Sequence, residues 1–199
     1  MGTPLSLGIV DDFDFRLDTN GQWLEGARRV PSPNFDERPP GCEVDLLVIH
    51  GISLPPGEFG GGFIEDLFLN RLDPKAHPSF HSIVGGRVSS HLLVRRDGEV
   101  IQYVPFHQRA WHAGISEFRG RTRCNDFSIG IELEGNDDTP YETVQYQRLT
   151  GLTRLLMKAF PGITLDRIQG HSDIAPGRKT DPGPNFDWNT FRYLLASTS

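Results

Sequence analysis

Val44-Asp45-Leu46-Leu47-Val48-Ile49-His50 is the stretch on which the reading of the fold turns. It is an apolar run of strand length, rich in branched side chains and without polar alternation. Such a run predicts a strand buried on both faces, at the centre of an α/β sheet. It ends in a histidine, and the carboxyl end of a buried strand is a common place for a functional group in α/β folds. Taken alone, His50 is as compatible with a cap bonded to a backbone carbonyl as with a ligand.

Upstream, Pro31, Pro33, Pro39 and Pro40 predict an extended, irregular path over 31–42, and 23–30 reads as a short turn or edge segment. Downstream, residues 51–82 form a long connection in which Phe63–Leu69 is a short amphipathic helix with Ile64, Leu67 and Phe68 on one side. Its three consecutive glycines, Gly60-Gly61-Gly62, and its length predict a mobile segment that covers the substrate. His91–Arg96 and Glu99–Val104 flank Asp97-Gly98, which predicts a hairpin closed by a two-residue turn. Trp111-His112 follows among small residues, where packing is favoured over stacking on a sugar. Arg119, Arg121 and Arg123 form a basic cluster suited to a carboxylated ligand, or else a solvated loop face.

Phe127–Gly135 alternates cleanly, which predicts a strand with Ile129, Ile131 and Leu133 on one face and Gly130, Glu132 and Glu134 on the other. Glu132, facing inward beside a glycine that leaves room, is a candidate base. Glycosidase chemistry needs carboxylates on opposite sides of a bond, and two neighbours on one strand face are poorly placed for it. Thr139-Pro140-Tyr141-Glu142 reads as a capping box opening a helix that runs to about Phe160. Ile163–Gln169 reads as a short strand, and Asp187 as the cap of a last helix with Trp188, Phe191 and Leu195 inward.

Between them lies Gly170-His171-Ser172-Asp173-Ile174-Ala175-Pro176-Gly177-Arg178-Lys179-Thr180-Asp181-Pro182-Gly183. It carries too few apolar side chains to be ordered by its own core contacts, so an ion is the economical explanation. His171 and Asp181 suit a borderline divalent cation such as zinc. Two ligands make a weak site, so a third must come from elsewhere. The alternative is a polar surface loop.

The 199 residues fit one sizeable domain, and 37% hydrophobic content supports a core while 22 Gly and 15 Pro predict much loop. A formal charge of −6 argues against a nucleic-acid or anionic-membrane binder. Two cysteines do not suggest a disulfide scaffold, and no apolar run reaches membrane-span length. Residues 1–20 lack a secretory pattern and read as a flexible leader to a soluble protein of a reducing compartment.

Several long blocks carry a resemblance: Arg29-Val30-Pro31-Ser32-Pro33-Asn34-Phe35, Leu46-Leu47-Val48-Ile49-His50 with Ile52-Ser53-Leu54-Pro55-Pro56-Gly57, Arg109-Ala110-Trp111-His112-Ala113-Gly114, Cys124–Gly135 and Arg178-Lys179-Thr180-Asp181-Pro182-Gly183. From about Gly21 to Leu195 the chain resembles the type 2 N-acetylmuramoyl-L-alanine amidases. That group includes phage lysozyme-type amidases and peptidoglycan recognition proteins, and the chain is similar to its cytoplasmic branch acting on 1,6-anhydromuropeptides. The resemblance implies a single zinc amidase domain over 21–199, with a central mixed β-sheet flanked by helices. It implies Zn2+ held by His50, His171 and Asp181, with Glu132 as base and Lys179 stabilising developing negative charge. The reaction implied is hydrolysis of the amide between the lactyl group of N-acetylmuramic acid and L-alanine during cell-wall recycling. Trp111 and His112 would line the sugar site, Arg123 would pair with a stem-peptide carboxylate, and Arg87 and Arg178 would assist. A monomer in the cytoplasm, binding neither nucleic acid nor membrane, is expected. The chain departs from the pattern at Gly51, where the family carries Asn, which removes a hydrogen bond if that Asn meets substrate. The alternatives are an amidase of intact wall and a recognition module without catalysis.

Overall fold

The structure is a computed structural model and describes residues 15–197. In chain order its strands are β1 (Arg16–Leu17), β2 (Leu24–Glu25), β3 (Arg28–Arg29), β4 (Phe35–Glu37), β5 (Leu46–Ile52), β6 (Leu92–Val94), β7 (Val100–Gln102), β8 (Gln108–Ala110), β9 (Glu117–Phe118), β10 (Arg121–Thr122), β11 (Ser128–Glu134) and β12 (Ile168–Gly170). The α-helices are α1 (Phe63–Phe68), α2 (Thr143–Ala159), α3 (His171–Ile174) and α4 (Trp188–Ala196).

Six strands form one sheet in the order β12-β5-β11-β6-β7-β3. Strands β12, β5, β11 and β6 are parallel, β6 and β7 are antiparallel, and β3 runs parallel to β7 at the edge. The sheet is therefore mixed, as expected. Strand β5 is an interior strand, between edge strand β12 and β11 rather than at the middle of the sheet; it is buried from Leu46 to His50 and continues two residues past His50. Its register with β11 sets Ile49 opposite Ile131 and His50 opposite Glu132. In a parallel pair, partners in register point to the same face, so this pairing brings those two polar side chains together.

One face is apolar throughout. Leu47, Ile49, Ile129, Ile131 and Leu133 pack there with Leu149, Leu152 and Leu156 of α2 and Phe191 of α4. On the other face Leu46 and Val48 meet Ala113, Cys124, Phe127 and Ile174. Because both faces are covered, every residue of β11 is buried even though its sequence alternates. Fully burying a side chain the size of Phe191 contributes roughly 1.5–3 kcal/mol.

Several expectations need correction. The β6–β7 turn has three residues, not two. Arg95 N donates to Glu99 O at 2.9 Å, and only Gly98 of the expected Asp-Gly pair has positive φ, at 86°. This is the type I turn with a left-handed glycine, whose bulge suits strand twist as well as the two-residue form does. Helix α2 begins at Thr143, and its capping pair is Glu142 and Gln145, with Glu142 N donating to Gln145 Oε1 at 3.0 Å. Thr139 and Pro140 lie outside because Tyr141 turns inward, its hydroxyl donating to Pro182 O at 2.8 Å. Residues 163–169 form a 3-10 turn at Leu165–Arg167 before the three-residue strand β12. The proline-rich stretch includes β4, which pairs antiparallel with β8.

The 51–82 connection carries its own apolar cluster. Leu54, Ile64, Leu67, Phe68, Leu72 and Phe80 pack against Leu93, Ile101 and Tyr103 of the sheet region. Of the expected leader, residues 1–14 lie outside the described residues. Arg16 and Leu17 pair with Glu25 and Leu24, and Phe15 and Leu17 pack on the main core. No helix among the described residues is long and apolar enough to cross a membrane.

Candidate metal centre

Two parallel strands and one loop converge on one point. His50 closes the buried part of β5, and His171 is the first residue of α3, directly after β12. Ser172 N donates to Asp181 O at 2.9 Å, folding the loop after α3 back on the helix so that the Asp181 carboxylate returns to the two histidines. His50 Nδ1 and His171 Nδ1 are 3.0 Å apart, and Asp181 Oδ2 lies 3.1 Å and 3.0 Å from them. The two imidazoles are buried and Asp181 is half-buried. Residues 121 and 131 positions apart in sequence thus share one centre with His50.

The donor set fits a divalent ion. Two imidazole nitrogens and one carboxylate oxygen are the ligands of a class of catalytic zinc sites, and bonds of about 2.0–2.1 Å to a tetrahedral ion space ligands roughly 3.3 Å apart. The observed 3.0–3.1 Å lies close to that spacing. Burial depresses His50 to about 4, so its imidazole is neutral and able to ligate at neutral pH.

Glu132 stands beside this triad. It is 8% exposed, its Oε1 lies 4.0 Å from His50 Nδ1, and its buried Oε2 has no hydrogen-bond partner. Burial, then the Asp181 charge, raises its carboxyl well above the ordinary range, while Lys179 opposes the rise. Lys179 is exposed, two residues before Asp181, and its positive charge acts on both Glu132 and His50. Glu134, on the same strand face, is committed elsewhere: it accepts from Gly60 N at 2.7 Å and pairs with Arg95 at 3.2 Å. The second carboxylate of the strand is therefore structural.

The remaining expected residues divide. Arg178 reaches the centre: it bonds Ala113 O at 2.6 Å and Ile115 O at 2.7 Å, and its guanidinium lies 3.3 Å from His171 Nε2. His112, expected to line the sugar site, is instead buried behind His50, its Nδ1 2.9 Å from His50 Nε2. Trp111 Nε1 donates to Asp36 Oδ1 at 3.1 Å, Arg123 pairs with Asp126 at 3.3 Å and Arg87 stands exposed, so the geometry does not tie these three to the centre. Each arginine of the 119–123 cluster has a carboxylate: Asp166 for Arg119, Asp45 for Arg121, Asp126 for Arg123. At Gly51 a Cβ would overlap the Tyr141 hydroxyl, which gives the departure from Asn a steric partner.

Sequence reasoning missed Asn125 and Tyr141. Asn125 Oδ1 accepts from the backbone N–H of His112 at 3.1 Å and of Ala113 at 2.7 Å, fixing the loop behind both histidines. Tyr141 anchors the carbonyl next to Asp181. Neither carries a local pattern that could have marked it.

Fold and site define a class: a mixed-sheet α/β domain in which two histidines, at the carboxyl ends of parallel strands β5 and β12, and one loop carboxylate are placed so that they could hold a metal ion. The profile of the N-acetylmuramoyl-L-alanine amidase family matches residues 40–184. The chain is 60% identical over 174 residues to the 1,6-anhydro-N-acetylmuramyl-L-alanine amidase AmpD of Escherichia coli K12, covering 87% of this chain and 94% of that protein. It is 55% identical over 171 residues to the AmpD of Haemophilus influenzae, covering 86% and 92%. A crystal structure of a selenomethionine AmpD derivative superposes with a TM-score of 0.87 at 57% identity, covering 90% of this chain and 99% of that one. The complex of the E. coli amidase AmiD with anhydro-N-acetylmuramic acid-L-Ala-D-γ-Glu-L-Lys matches with a TM-score of 0.56 at 30% identity, covering 89% and 65%. The chain belongs to the N-acetylmuramoyl-L-alanine amidase family.

Proposed function

We propose that the chain is a zinc-dependent amidase that cuts the amide between 1,6-anhydro-N-acetylmuramic acid and L-alanine in muropeptides, in cytoplasmic recycling of the cell wall. The observation that carries the reading is the buried, unpartnered Glu132 carboxylate beside three convergent metal donors. The substrate class is supported by the anhydromuropeptide amidases that the chain resembles at 55–60% identity. The free thiols of Cys42 and Cys124 suit a reducing compartment.

His50 Nδ1, His171 Nδ1 and Asp181 Oδ2 would hold the ion. Once bound, zinc supplies Lewis acidity that brings the pKa of water from about 15.7 to about 7. Glu132, with Oε2 unengaged, accepts the proton of the attacking water and passes it to the leaving L-alanine nitrogen. The dry surroundings of Glu132 raise its proton affinity, which suits a group that must both take and give a proton near neutral pH. Lys179 stands on the open side and meets the negative charge that grows on the carbonyl oxygen. Arg178, with Arg87, Arg123 and Trp111 farther out, forms the surface for the sugar and the carboxylates of the stem peptide. The enzyme acts as a monomer.

The test is incubation with purified anhydromuropeptides and, separately, with insoluble sacculi, each with and without a chelator. Release of peptide from anhydromuropeptides that stops with chelator and returns with zinc is expected. Release from sacculi alone would make the chain an amidase of intact wall. Release from neither would leave a recognition module.

A further inference from the structure

Behind the centre lies a chain of hydrogen bonds that the catalytic reading does not use. Ser128, Gly130 and Glu132 are alternate residues of β11 and share the face on which His50 lies. Glu132 reaches the centre. Gly130 gives up its side chain: a Cβ there would lie 2.6–2.8 Å from three atoms of the His112 ring. His112 fills that space, and Ser128 closes it from behind with its Oγ 3.1 Å from His112 Nε2. Three successive positions of one strand face thus supply a backstop, a seat and a reactive group.

A proton count fixes the direction of the chain. Ser128 Oγ lies 2.6 Å from the Cys124 carbonyl oxygen, which can only accept, so the single hydroxyl proton of Ser128 is committed there. Ser128 Oγ must therefore accept from His112 Nε2, and the neutral imidazole of His112 carries its proton on that nitrogen. The bare His112 Nδ1, 2.9 Å from His50 Nε2, accepts in turn, so His50 is protonated on Nε2. His50 Nδ1 then turns a lone pair toward His171 Nδ1 and Asp181 Oδ2. The reverse order would set Ser128 Oγ against the Cys124 carbonyl as two buried acceptors at 2.6 Å, an unmade bond with a full desolvation penalty. Ser128 and Cys124 are 0% exposed, His50 1% and His112 8%. Such burial leaves water little access to rearrange these protons.

We propose that Ser128 and His112 are positioning residues that fix the tautomer of His50 and aim its Nδ1 at a divalent cation. The proposal rests on the reading of His50, His171 and Asp181 as a metal site, but not on the identity of the substrate. It moves His112 from the sugar surface to the support of a ligand. It also gives Gly130 a role that no contact with substrate would require.

The test measures zinc affinity of the metal-stripped protein by competition with a chromophoric chelator, beside the thermal midpoint of each metal-free variant. His112→Leu keeps the bulk of the ring but offers no acceptor, and loss of such an outer partner weakens metal binding about 10–100-fold. His112→Asn places an amide oxygen near the position of Nδ1 and restores most of the affinity. Ser128→Ala, remote from the donors, weakens binding by less than His112→Leu does. The metal-free midpoint shows which variants are folded at the assay temperature, so zinc affinity is compared among folded proteins only, which separates positioning from folding. Equal zinc affinity in wild type and His112→Leu would overturn the proposal, as would equal weakening by Leu and Asn. If His112→Leu does not fold, Ser128→Ala decides, and wild-type affinity in it overturns the proposal. Failure of the wild type itself to bind zinc would overturn the metal reading and this proposal together; zinc binding without amidase activity would overturn only the substrate reading.

Discussion

Glu132→Gln separates the chemistry of the site from its assembly. Gln is nearly isosteric, and the Oε2 position it replaces makes no hydrogen bond, so the change removes a base without stranding a partner. The Oε1 atom lies 4.0 Å from His50 Nδ1, beyond the three donors, so zinc content should be unchanged. Loss of a general base lowers turnover by about 10²–10⁴, which is roughly 2.7–5.4 kcal/mol of transition-state stabilisation. Stability moves the other way. Burial raises the Glu132 pKa in the folded state well above its ordinary 4.5. The favourable contribution of the protonated form is present in full below the unfolded value and is lost as pH rises through the folded one. In the metal-free protein, thermal midpoints of wild type and Glu132→Gln should therefore coincide near pH 4, and the variant should be the more stable at pH 8. Metal analysis, kcat on an anhydromuropeptide and melting at the two pH values make the assay. A variant that keeps kcat within about threefold, or loses its zinc, refutes the base assignment; one that melts below wild type at pH 8 refutes the account of its burial.

Three other substitutions probe neighbouring links. Lys179→Ala should lower kcat about 10²–10³-fold, the usual loss for one donor to a developing oxyanion, with zinc content unchanged by metal analysis. Tyr141→Phe removes the 2.8 Å bond to Pro182 O and leaves a carbonyl next to Asp181 unsatisfied, at a cost of about 1–3 kcal/mol; denaturant titration reads the loss, and chelator competition should show weaker zinc binding. Phe191→Ala empties a fully buried site packed edge-on to Phe186, and should destabilise by about 3–5 kcal/mol with little change in kcat at a temperature where the variant is folded.

Local patterns marked the elements whose residues carry a strong period or an unbroken apolar run. Strands β5 and β11, helix α1 and the Asp187 cap of α4 are of this kind. Boundaries were less legible where two local signals compete. Thr139-Pro140 and Glu142-Gln145 both resemble helix starts, and the choice was made by the Tyr141 hydroxyl reaching Pro182, 41 residues away. The Asp97-Gly98 pair suits two turn geometries, and the 95–99 backbone pairing selected the longer.

The same division runs through the site. Composition and alternation placed Glu132 inward on a strand, and the chemistry of His171 and Asp181 in a core-poor loop called for an ion. Kinship to a family supplied His50 as the third donor. What the chain alone could not decide is which side chains meet, because contacts across 62 or 121 residues depend on strand order and register rather than on neighbours in sequence. The parallel pairing of β11 with β5 set Glu132 across from His50, and that same register placed Gly130 and Ser128 where His112 could be held behind the candidate metal centre. Side-chain identity is written locally, whereas proximity is set by how a twisted sheet with two covered faces can close its hydrogen bonds.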